Sequence, residues 1–116
     1  MKIELIKDMR GMEMYGDIPC LPVEYSENQG ERFTGEETDA WLLLEDFVPA
    51  IDDICPNDLD YGDVDYFDTE KCLILKSWLE ARKKSHVSPR LQAIYRILEQ
   101  YVDSAIRYGA GVVIEL

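Results

Sequence analysis

Long hydrophobic runs are missing from this chain, as are paired cysteines, glycine-rich loops and, over half its length, positive charge. Each absence removes a class of protein. No apolar stretch in the 116 residues approaches the ~20 needed to span a bilayer. Met1-Lys2-Ile3-Glu4 lacks the apolar core of a secretory leader, so a soluble, cytoplasmic chain is expected. Cys20, Cys55 and Cys72 are odd in number, widely spaced and form no CxxC pair, which predicts reduced thiols instead of a disulfide frame or zinc site. The seven glycines are scattered, and none leads a phosphate loop into Lys-Ser/Thr. The single histidine, His86, falls in an expected interhelical turn, and nothing local suggests the third group that a Ser or Cys triad needs to orient its base. Cys72 belongs to an apolar helix face, and Cys55 has no evident activator. With 24 acids, some carboxylate pair always falls at a glycosidase spacing, so that signal has no specificity. No enzymatic activity and no cofactor are expected.

What is present in excess is negative charge, and it is unevenly placed. Gly11 to Glu70 holds eighteen acids and one base, Arg32; within it, Glu45 to Glu70 holds ten acids and none. From Lys71 to Leu116 eight bases face four acids. The net charge of −12 disfavours nucleic acid and anionic membranes as partners and selects a basic protein. Apolar residues make up 47% of the chain, an ordinary globular share, and the length suits a single domain over 1–116 with one core.

Periodicity places the elements. Ile3 and Leu5 alternate with Lys2 and Glu4, as in a half-buried strand. Asp8 to Gly35, punctuated by glycines and prolines, suits short strands or loops, with Leu21–Tyr25 one candidate. Thr34-Gly35-Glu36-Glu37 has the form of a capping box opening a helix that carries Trp41, Leu42, Leu44, Phe47 and Val48. Pro49 should kink or end that helix, with a further turn possible to Cys55. Asp68 or Thr69 caps a second helix over about 70–84, with Cys72, Leu75, Trp78 and Leu79 inward. Ser88-Pro89 starts a third, whose stripe runs from Leu91 to Ile106 and stops at Gly109 and Gly111. On its outer face Asp103 and Arg107 are spaced to pair. Val112 to Leu116 reads as a buried strand. The expected fold is α+β: a small sheet including the N- and C-terminal strands, packed by about three helices.

The acidic stretch is the candidate site. Asp52, Asp53, Asp58, Asp60, Asp63 and Asp65, interleaved with Tyr61 and Tyr66, combine long-range steering with rigid aromatic anchors. The bland alternative is a solvated acidic loop tied down by Tyr61, Val64, Tyr66 and Phe67. A calcium-binding module is a second alternative, although an EF-hand frame starting at Asp58 puts Gly62 at position five and Thr69 at twelve, where Gly at six and Glu at twelve are needed. A third is an acidic adaptor or nucleic-acid mimic acting on a basic cellular protein.

Tyr66-Phe67-Asp68 before a helix with Cys72, Leu75, Trp78 and Leu79 forms part of a broader pattern. It continues through Ile94-Tyr95, Leu98, Tyr101 and Ala105-Ile106 to Tyr108-Gly109-Ala110-Gly111-Val112-Val113-Ile114-Glu115-Leu116. This half of the chain resembles the small bacterial immunity proteins of polymorphic toxin and contact-dependent inhibition systems. The resemblance implies a non-catalytic cytoplasmic protein that binds and neutralises one cognate toxin domain, often a nuclease with a basic site. It carries over no partner-binding residue, because the matched positions lie largely outside the acidic stretch.

Overall fold

The alternating N-terminal segment lies at the middle of a sheet. The computed structural model describes residues 1–116. In chain order the elements are β1 (Lys2–Ile6), β2 (Glu13–Tyr15), β3 (Ile18–Cys20), β4 (Gly30–Thr34), α1 (Glu37–Ile54), β5 (Val64–Phe67), α2 (Thr69–Arg82), α3 (Pro89–Tyr108) and β6 (Gly111–Glu115). The main sheet is wholly antiparallel with order β4-β1-β6-β5, and β2-β3 forms a separate hairpin. The fold is therefore α+β, with both terminal strands in the main sheet.

Register explains the layering. Ile3 faces Phe33 and Ile114, Leu5 faces Val112, and Phe67 also faces Val112. These residues share the sheet face that joins the main core, together with Leu43, Phe47, Ile51, Leu75, Ile94 and Leu98 from the helices. α3 lies across β1 and β6, while α1 and α2 pack on α3. The opposite face holds a smaller cluster of Ile6, Met12, Leu21, Ala110 and Val113, with Ile18 and Tyr66 against it. Arg32 fastens this side: Nε meets Glu4 at 2.6 Å, and the guanidinium also donates to the carbonyls of Leu21 and Pro22. The one base of the acidic half is thus bound up within the sheet.

The helix ends follow capping chemistry, with one shift of register. α1 opens two residues beyond the expected Thr34 cap. Thr34 ends β4, and the capping box is formed by Glu36 and Asp39. Asp39 prevails because its carboxylate accepts from the Glu36 N–H at 2.8 Å and is also gripped by Arg90 from α3. Pro49 does not end the helix. The Glu45 carbonyl that loses its donor is on the exposed side, where water can replace it, and Phe47, Val48 and Ile51 bury on either side. Asp68 caps α2, and Ser88 with Pro89 at the first position starts α3. Asp103 pairs with Lys76 of α2 at 3.2 Å, across the helix interface, and not with Arg107.

α3 ends in a Schellman motif: the Ala110 N–H donates to Ala105 and the Gly109 N–H to Ile106. Gly109 has φ 68°, and a Cβ there would meet nothing within 4 Å. Gly109→Ala should therefore lower stability by about 1 kcal/mol through backbone strain alone. A shift of the urea midpoint at unchanged slope checks this; an unshifted midpoint would refute it.

The segment between α1 and α2 contains a strand. Val64 and Tyr66 point to the small cluster, and Phe67 points to the main core. Asp65 shares the Phe67 side at the sheet's outer edge. Its carboxylate accepts from the backbone N–H groups of Asp58 and Tyr66, so the edge is covered by a charge and a loop.

Candidate functional site

β5 and the loop before it form one wall of an open basin of about 1000 Å³. Seven aspartates line it: Asp17 from the β2–β3 turn, Asp52 from the last turn of α1, Asp58, Asp60 and Asp63 from the connecting loop, Asp65 from β5, and Asp68 capping α2. Lys71 is the only base in the lining.

The loop is anchored at several points. Leu59 is buried in the main core. Asn57 donates to Asp52 and to the Cys55 carbonyl, and accepts from the Leu59 N–H. The Asp63 carbonyl accepts from the N–H of Leu116, the last residue. The backbone that carries Asp58, Asp60 and Asp63 is therefore fixed by the fold.

None of the basin aspartates is in an ion pair, with Lys71 or any other base. Eight acids form ion pairs: Glu4, Asp8, Glu31, Asp39, Asp46, Glu99, Asp103 and Glu115. None lines the basin. The basin aspartates nevertheless differ in their duties. Asp52, Asp60, Asp65 and Asp68 each accept at least one hydrogen bond from the protein. The carboxylates of Asp17, Asp58 and Asp63 accept none from any side chain or backbone N–H, so they are fully available. No three His, Cys, Asp or Glu side chains converge closely enough to hold a metal ion; the aspartates ring the basin.

Of the residues singled out from sequence, Asp52, Asp58, Asp60, Asp63, Asp65 and Tyr66 meet here. Tyr66 serves the fold as well. Its ring lies where a Cβ on Gly111 would come within 2.6 Å, and burial pushes its hydroxyl up to about 12. Asp53 is exposed on α1 but stands outside the basin. Tyr61 also stands outside it, stacked on Trp41 with ring centroids 5.0 Å apart, and its hydroxyl donates to Glu37 at 3.1 Å. That bond, and the charge of Glu37, raise the Tyr61 pKa.

Three residues escaped the sequence reading. Asp17 is far away in sequence and reaches the basin only through the hairpin, which leaves no local signal. Asp68 was legible as a cap but not as lining. Trp41, read only as one of the apolar residues that α1 carries, is 47% exposed. Ala40, Leu43, Phe47 and Ile51 recur at helical spacing and are buried, and Trp41 falls one step off that stripe.

The other reactive groups lie elsewhere. Cys72 is buried, its thiol donating to the Phe67 carbonyl, and burial pushes it up to about 12. Cys55 is buried too, and desolvation raises its pKa. His86 is exposed between α2 and α3. All three cysteines are free, and no helix is long and apolar enough to cross a membrane.

No protein family, curated protein or solved structure matches the chain.

Proposed function

We propose that this chain is a cytoplasmic immunity or inhibitor protein that binds a basic protein partner through the aspartate basin, and that the partner is a cognate toxin domain with a nuclease-like phosphate site. The observation that carries the reading is the convergence of seven aspartates, none in an ion pair, on one anchored concave surface. A field in which seven aspartates face a single lysine accelerates encounter with an oppositely charged surface and rejects like-charged ones. Inhibition then needs no chemistry from the inhibitor. Carboxylates occupy the positions that substrate phosphates would take, and the bulk of the fold closes the cleft.

The test is co-expression with the product of the neighbouring gene. A basic domain there should arrest growth alone, lose toxicity beside this chain, and co-purify with it at low salt more than at high salt, as screening predicts. A neighbour whose effect on growth this chain leaves unchanged, and which does not co-purify with it, would overturn the reading.

A further inference from the structure

The two tryptophans of this chain are used differently. Trp78 is packed edge-on against Phe47 and Tyr95, with centroids 5.6 and 5.5 Å away. Trp41 lies flat on Tyr61, the planes 12° apart, with 47% of the one residue and 50% of the other left in solvent. Such a pair contributes little to the core, yet it is held firmly. Trp41 sits one helical turn from Glu37, and Tyr61 reaches across from the Asp60–Asp63 turn to donate its proton to that same Glu37. A phenol that donates to a carboxylate has a more electron-rich ring. Four aromatic rings in the protein lie under a cation of its own: Tyr25, Phe33, Phe67 and Tyr108. Neither Trp41 nor Tyr61 does. Asp60, next to Tyr61, lines the basin, so the pair stands at the basin's rim.

We propose that the stacked Trp41–Tyr61 pair is the seat for one arginine side chain of the basic protein partner, its guanidinium lying over an aromatic face and its edge donating to Glu37. This rests on the reading of the chain as a binder of basic protein. Arginine fits better than lysine because a planar guanidinium stacks on a ring while its N–H groups still point outward in plane to a carboxylate. A compact ammonium cannot do both so well. The rings add a short-range, shape-dependent contact to a field that by itself attracts any cation.

Octa-arginine and octa-lysine peptides, titrated at low salt and followed by heteronuclear NMR of the indole N–H signals, test the seat. The Trp41 signal is identified as the one that Trp41→Leu removes. Octa-arginine should move the Trp41 signal, leave the Trp78 signal in place, and bind more tightly than octa-lysine. Trp41→Leu and Tyr61→Leu, made separately, should each weaken octa-arginine by about two- to fivefold, the range of an exposed cation–π contact. They should weaken octa-lysine less, and Trp41→Phe should retain most of the affinity for octa-arginine. Changing Asp58 and Asp63 to Asn should weaken both peptides alike. If octa-arginine binds without moving the Trp41 signal, or if both leucine variants keep full affinity, the seat is overturned and the acidic basin stands. If neither peptide binds, the basin reading falls and the seat falls with it.

Discussion

Arg90→Ala should destabilise the protein at neutral pH by more than Asp39→Ala, which should cost only about 1–2 kcal/mol through the lost α1 cap. The two residues form one ion pair, with Nε–Oδ1 at 2.7 Å and a second bond at 2.8 Å, but they are unequally placed. The Asp39 side chain is 3% exposed and the Arg90 side chain 53%. Removing Arg90 leaves a buried carboxylate with only the Glu36 N–H to hold it. Removing Asp39 leaves a guanidinium that turns into water, at the price of the α1 cap. The double variant should therefore be little worse than Asp39→Ala alone, and a cycle showing simple additivity would refute this account.

Acid should narrow the gap. The Arg90 guanidinium, assisted by the Glu36 N–H, holds the Asp39 carboxyl below the usual carboxylate range against the opposing effect of burial. A depressed native pKa contributes stability that is present above the unfolded value of about 3.9 and lost as pH falls through the native one. Without Arg90 the largest lowering influence is gone and the carboxyl takes up its proton at higher pH than in the parent, so the variant's deficit shrinks as pH falls. Urea unfolding of both proteins at pH 7 and near pH 4 reads the difference directly. A deficit that stayed constant would mean that Asp39 is not the group responsible.

The sequence was most informative where one local rule acted alone. Ser88-Pro89, Gly109 and the Leu91–Ile106 stripe define α3 completely, and the β-branched C-terminus makes a buried strand. It was least informative where two rules competed. β5 was obscured because Asp65 has low strand propensity, yet that residue earns its place by accepting two backbone N–H groups at the sheet edge. α1 is capped at Glu36 and not at Thr34 because Arg90, 51 residues beyond Asp39, selects the acid of the capping box. The candidate site divides in the same way. The run from Asp58 to Asp65 is visible as charge density, but Asp17 joins it only through tertiary structure, and Tyr61 leaves it because Trp41 offers a flat apolar face. Charge density along the chain thus marked the region, while hydrogen bonding within the fold decides which carboxylates remain free.

Those free carboxylates should dominate affinity for a cationic ligand. The side chains of Asp17, Asp58 and Asp63 make no hydrogen bond in the fold, so changing all three to Lys should leave the melting temperature unchanged or raise it by easing self-repulsion. Each reversal alters the charge by two, moving the chain from −12 to −6. In water, opposite unit charges about 6 Å apart attract by roughly 0.7 kcal/mol, and reversal replaces that with equal repulsion. At about 0.1 M salt screening removes roughly half of this, leaving about 2 kcal/mol over three sites, or an affinity loss of about thirtyfold. Calorimetry with octa-arginine measures it. The control is Glu24, Glu27 and Glu80, which lie exposed outside the basin, reversed together to give the same net charge. Equal losses in the two triple variants would mean that total charge, and not the basin, attracts the ligand. A loss confined to Asp17, Asp58 and Asp63 assigns binding to the concave surface, because only there do the carboxylates act together at close range on one bound cation chain.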